Sequence, residues 1–175
     1  MNILRIIKRL IRFVFDKNEI IVYSSNLKSI PIQPKIEVKE IIKCLGALEN
    51  SRIANGDRLF AIFDNVNKVK LIHTSWLKFD EMDMAEVCFK VPLKEGEACI
   101  YDCYTKEEFR GWGFYPSMLI HLQKYLKEQD FKKVYTYVEA GNKSSIRGIE
   151  KSGFIRESSI KFRRLFGIAS QFQTK

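Results

Sequence analysis

Cys103-Tyr-Thr-Lys-Glu-Glu-Phe-Arg-Gly-Trp-Gly-Phe-Tyr-Pro-Ser-Met-Leu119 is the stretch whose reading decides the fold. A strand-like run, Ala98 to Thr105, enters it. A helix leaves it, with Pro116 suited to a first helical position. Between them lies Arg110-Gly111-Trp112-Gly113-Phe114-Tyr115, basic and interrupted by glycine. Glycine lets the backbone approach a ligand closely. The open N–H groups of a first helical turn, with the helix dipole, attract phosphate. The stretch therefore predicts a phosphate-bearing ligand held between a strand and a helix.

Working outward, Met118, Leu119, Leu122, Tyr125 and Leu126 form one apolar stripe on that helix. Lys133 to Glu139 reads as the next strand. Asn142 is a natural N-cap for a second short helix, and Gly153 its natural stop. Phe154 to Phe166 supplies one or two closing strands. Upstream, Glu19 to Ser24 reads as a strand, Ile36 to Asn50 as a helix, and Asn55-Gly56-Asp57 as a turn. Leu59 to Phe63 and Val69 to Phe79 read as a hairpin turning at Asp64-Asn65, with a further strand from Met84 to Val91. Antiparallel strands followed by strand–helix–strand–helix–strand predict an α/β (α+β) fold: a mixed, mostly antiparallel central sheet flanked by helices.

The 175 residues, 46% hydrophobic and 13% aromatic, suit one domain with a full core. No apolar run reaches the roughly 18 residues that span a bilayer. The apolar N-terminus is broken by Arg5, Lys8, Arg9 and Arg12, so no export is expected. Cys44, Cys88, Cys99 and Cys103 show neither a CxxC pair nor metal-ligand spacing and read as core residues in a cytoplasmic protein. Cys99 and Cys103 share parity on one predicted strand.

The charge of +9 sits at the ends: +3 in residues 1–20 and +4 in residues 156–175. Residues 3–15 read as a helix with Arg5, Lys8, Arg9 and Arg12 in one stripe and a broad apolar face opposite. Such a helix suits an anionic membrane surface at the inner face of the membrane. The alternatives are docking on its own domain or on a second subunit of a homodimer. The organisation expected is a basic helix over 1–18, one domain over 19–166 and a basic, polar tail over 167–175. No nucleic-acid recognition motif occurs. The Walker A pattern is absent, and a dinucleotide fingerprint lacks its third glycine.

Arg110 to Tyr115 and the segment Asn142 to Phe154 together resemble the Gcn5-related N-acetyltransferase superfamily. The first resembles its pyrophosphate loop, Q/R-x-x-G-x-G/A. The second resembles its motif of an Asn after a strand, then a helix ending in Gly-Phe. The resemblance covers about residues 19–166. It implies acetyl-CoA as co-substrate and direct attack of a primary amine on the thioester. By position, it implies cofactor contacts from Cys103, Tyr104 and Thr105 on the strand. It implies further contacts from Arg110, Gly111, Trp112, Gly113, Phe114 and Tyr115 in the loop, and from Asn142 and Ser145 beside the pantetheine arm. The acceptor expected is a small amine, with an amino sugar on a nucleotide or lipid carrier in surface-polysaccharide synthesis as the leading guess.

Two departures stand out. Ile149 occupies the place of the usual proton-donating Tyr, and Tyr115 that of a small residue. Asp102, Glu97 and Glu139 are candidate bases, with Asp102 first. Strand alternation puts Glu97 on the face of Cys99, Tyr101 and Cys103, and Asp102 on the other. Tyr101 and Tyr104 are candidate substitutes for the missing acid. His73 and His121 lie outside both motifs. The alternative function is a non-catalytic module of the same fold that binds an acyl-CoA, a membrane or a partner.

Overall fold

The computed structural model describes residues 15–32, 36–43, 46–64, 70–84, 89–165 and 168–174, with side chains from residue 18 to residue 162. The helix expected over 3–15 lies outside the described residues, apart from Phe15, which opens a strand. Cys44 and Cys88 lie outside them too.

The chain runs as β1 (Phe15–Ser25), β2 (Lys39–Ile41), α1 (Ala47–Ala54), β3 (Arg58–Phe63), β4 (Leu71–Lys78), β5 (Glu81–Met84), β6 (Phe89–Pro92) and β7 (Glu97–Thr105). Then come α2 (Phe114–Glu128), β8 (Lys133–Glu139), α3 (Lys143–Lys151), β9 (Ile155–Leu165) and β10 (Ile168–Thr174). Among the described residues, eight strands form one sheet in the order β10-β9-β1-β8-β7-β4-β3-β2, and β5 and β6 form a separate hairpin. Only the β7·β8 pair in that sheet is parallel. The expected mixed, mostly antiparallel sheet is the observed one.

Four expectations are corrected. Ile36 to Asn50 is not one helix: β2 occupies Lys39–Ile41 and α1 starts only at Ala47. β-Branched Ile36, Val38, Ile41 and Ile42 favour extended backbone, and pairing with β3 overrides the helical reading. Met84 to Val91 is not one strand but the end of β5 and most of β6. Residues 168–174, read as a tail, form β10 against β9. Pro116 is the third helical residue rather than the first, a place equally free of hydrogen-bond loss because first-turn N–H groups have no partner in the helix.

One face of the sheet carries α2 and α3. Met118, Leu119, Leu122 and Leu126 bury completely against Ile21, Tyr23, Phe60, Ile62, Ile100 and Val134. Gln123 ties the helices together by donating from Nε2 to the Ser152 carbonyl at 2.8 Å. The other face packs Ile20, Val22, Cys99, Ile160 and Phe162 against Met82 and Met84 of the β5–β6 hairpin. Leu122→Ala should cost about 2–5 kcal/mol of stability in denaturant unfolding, because it opens a cavity in the main core.

Candidate functional site

The site is built where β7 and β8 separate. They pair from Glu97↔Lys133 to Ile100↔Thr136 and no further. On the opposite edge β7 stays paired with β4, but Trp76 faces Tyr101 while Thr74 faces Tyr104. β7 therefore carries one residue too many, a β-bulge, which bends and twists a strand. Asp102 sits in it with φ of 45°, a left-handed conformation that Asp tolerates better than most residues. From Tyr101 to Thr105, β7 has β4 on one side and an opening on the other.

The bulge also breaks strand alternation. Cys99 and Tyr101 pack on the β5–β6 face, while Cys103 packs against the helix-covered core. The shared face expected for Cys99, Tyr101 and Cys103 is thus overturned, since one extra residue flips every side chain after it. Asp102 turns to α1, where Arg52 Nη1 donates to its Oδ2 at 2.6 Å. The same guanidinium lies over Trp76 and Tyr101, at 5.2 and 5.7 Å from the ring centroids.

A cleft of about 1300 Å³ follows the opening from α1 to the N-termini of α2 and α3. Cys103, Tyr104, Thr105, Arg110, Gly111, Gly113, Phe114, Tyr115, Asn142 and Ser145 all line it. Gly111 and Gly113 both have φ of 83°, and a Cβ at either would meet nothing within 4 Å. Gly113 caps α2, and no side-chain hydrogen bond caps that helix end. An open cradle of left-handed glycines at a bare helix N-terminus fits a pyrophosphate. Arg110 folds back, donating from Nε to the Thr105 carbonyl at 3.2 Å. Trp112 projects outward, 75% exposed. Asn142 caps α3 by accepting from the Ser145 N–H at 3.1 Å.

Among the candidate bases, Asp102 and Glu139 line the cleft and Glu97 does not. Glu97 lies at the closed end of β7, where its carboxylate accepts from the Tyr135 hydroxyl and the Lys94 N–H. Tyr104 lines the cleft and is half exposed. Ile149 is fully buried in the main core.

The cleft also holds residues that the sequence motifs do not reveal. Tyr101 donates its hydroxyl to Asp57 Oδ2 at 2.6 Å. Burial raises the Asp57 carboxyl above its ordinary range, and burial beside Asp57 raises the Tyr101 phenol. Tyr137 donates to the Asp83 carbonyl. Asp80, Glu81 and Asp83 make this end acidic, with Lys78 bridging Asp80 and Glu81. Arg110, Arg147 and Lys151 make the loop end basic. No local pattern marks Asp57 or Arg52, since folding alone sets them beside β7.

Beneath β7, His73 is buried between Thr105 Oγ1 at 2.7 Å and Ser75 Oγ at 2.8 Å, and Ser75 donates to Cys103 Sγ. It holds up the strand without lining the cleft. Burial drives its pKa down to about 4 and pushes the Cys103 thiol up to about 12, so both are neutral at pH 7.

Residues 73–154 match the model of the acetyltransferase (GNAT) family. This region is a GNAT domain. The fold agrees with an acetyltransferase of that family from Colwellia psychrerythraea at TM-score 0.61 and 17% identity, over 93% of this chain and 57% of that one. It agrees likewise with a putative GNAT acetyltransferase from Novosphingobium aromaticivorans, at TM-score 0.60 and 12% identity, over 91% and 66%. A third similar structure is a GCN5-related glucosamine N-acetyltransferase region of a fungal multi-domain GH3 β-N-acetylglucosaminidase. Its TM-score is 0.58 and its identity 12%, over 98% of this chain and 23% of that one. The chain thus spans less than two thirds of the length of each. No curated protein matches the sequence. Among the described residues of the GNAT domain and its flanks, no helix is long and apolar enough to cross a membrane.

The depressed His73 pKa sets a pH dependence. The unfolded imidazole, near 6.5, binds a proton more readily than the folded one, so stability is full above pH 6.5 and falls as pH drops toward 4. The loss should reach about 3 kcal/mol. His121 adds in the same direction. His73→Gln should flatten most of this slope in unfolding titrations between pH 4 and 6.5.

Proposed function

We propose that the chain is an acetyl-CoA-dependent N-acetyltransferase acting on a primary amine. The observation that carries this reading is the parting of β7 from β8 at the Asp102 bulge, beside the open cradle of Gly111 and Gly113. Acetyl-CoA would supply the activated acetyl group. The exposed edge of β7 at Cys103 to Thr105 would take the pantetheine amides as an added strand takes a ladder. The N–H groups around Gly111, Gly113 and Tyr115 would hold the pyrophosphate, with Arg110, Arg147 and Lys151 adding positive charge.

The opposite end supports an amine that arrives as a cation. Asp57 is the better-suited base: its carboxylate is half-buried and raised, whereas Asp102 is ion-paired to Arg52. A raised carboxyl holds a proton closer to neutral pH and so makes a more effective base there. The amine must lose a proton before it attacks, and Asp57 would receive it directly or through water. An amino sugar presents such an ammonium, and the glucosamine-acetylating fungal region is similar in fold. A carrier phosphate entering at this end would meet Asp80, Glu81 and Asp83, which favours an acceptor without one.

The non-catalytic reading draws support from buried Ile149, which leaves the usual Tyr position of α3 without a proton donor. Turnover on an amine panel separates the two. Calorimetry should detect acetyl-CoA binding, and none at hundreds of micromolar would remove the enzyme reading. Gly113→Asp should weaken binding at least about 100-fold, since it sets a carboxylate against the pyrophosphate on a backbone that disfavours side chains. Asp57→Asn should lower kcat by about 100-fold while leaving acetyl-CoA affinity unchanged. An undiminished kcat would exclude Asp57 as the base.

A further inference from the structure

Resting on that reading, the geometry points to the Tyr115 hydroxyl as the hydrogen-bond donor that receives the departing sulfur of coenzyme A. Three observations converge on this side chain. Its ring lies over Gly148 of α3: a Cβ built on Gly148 would stand 2.7 Å from Tyr115 Cδ1 and 3.1 Å from Cε1. Only a residue without a side chain leaves room for it there. Tyr115 also lines the cleft, and its hydroxyl meets Thr136, the last β8 residue paired before the strands part. The phenol therefore reaches from the first turn of α2 to the apex of the opening, beside the strand assigned to pantetheine.

Several other cleft hydroxyls are engaged elsewhere, and that of Tyr104 belongs to a half-exposed side chain, where water weakens a donated hydrogen bond. Tyr101 donates to Asp57 and Tyr137 to the Asp83 carbonyl, both on the acidic, β5–β6 side where the amine enters. Thr105 is bonded to His73, and Ser144 donates to Asn142. Tyr115 stands on the helix side, near Cys103. The two sequence departures then explain each other. Ile149, one residue beyond Gly148, carries no donor and fills the core, while Tyr115 brings a phenol to the same helix from α2.

In the step, the amine nitrogen forms the C–N bond and the C–S electrons pass to sulfur. The Tyr115 O–H donates a hydrogen bond to that sulfur as the charge develops. The proton lost by the amine passes to Asp57 and solvent, and the thiolate finally takes a proton from solvent. Groups that meet Tyr115 include Cys103 from β7, His73 from β4, Thr136 from β8 and Gly148 from α3, and the two of these that titrate, His73 and Cys103, are neutral at pH 7. Beside these neutral groups a donated hydrogen bond has large leverage. Burial raises the phenol well above its ordinary pKa, so the proton stays on oxygen and the group acts as a donor.

The test needs no acceptor. Free coenzyme A is bound to the full chain, and its thiolate absorbance is titrated against pH. Tyr115→Phe keeps the ring and should shift the ionisation constant of the bound thiol about tenfold toward the thiol, with affinity for the protonated form unchanged. Gly148→Ala, which displaces the ring, should shift it the same way. Identical thiol titrations in wild type and Tyr115→Phe would overturn the assignment. Failure of the wild-type chain to bind coenzyme A would instead overturn the function on which it rests.

Discussion

One extra residue in β7 governs this structure. The bulge at Asp102 keeps β7 paired with β4 and ends its pairing with β8 after Ile100. Unpaired backbone inside a sheet is costly unless water or a ligand satisfies it. Here it faces an open cleft, so the same constraint that breaks the sheet makes a place for an extended ligand. A left-handed Asp costs about 1 kcal/mol. The Arg52 pair at 2.6 Å, braced by Trp76 and Tyr101, holds the residue in place.

The cleft is polarised along its length. Carboxylates gather where α1 and the β5–β6 hairpin approach β7, and cations gather on the loop and α3. A ligand that is anionic at one end and an amine at the other matches this field. The sheet separates the two proposed roles: Asp57 and Tyr101 lie on the face proposed for the nucleophile, and Tyr115 on the helix-covered face. Below them the neutral His73–Ser75–Cys103 chain braces the strand without adding charge.

Much of the fold was legible. β8 spans Lys133–Glu139 as read, and Asn142 caps α3. Such features rest on near neighbours, namely alternating burial and a side chain bonding a backbone three residues on. The helix read over Ile36 to Asn50 failed because pairing with β3 decided the conformation of Lys39–Ile41. The face assignments on β7 failed because periodicity has no mark for an inserted residue.

The sequence by itself determined the glycine cradle, the order of elements after it and the two motif departures. Glycine conformations and helix caps are local, and the residues that make them are adjacent. Only the tertiary structure decided which carboxylate is held by a cation and which is poised. Asp57 meets Tyr101 across 44 residues, and Arg52 meets Asp102 across 50. It also decided that Tyr115 and Gly148 are partners, because their fit depends on how α2 packs on α3, and packing joins residues with no relation along the chain.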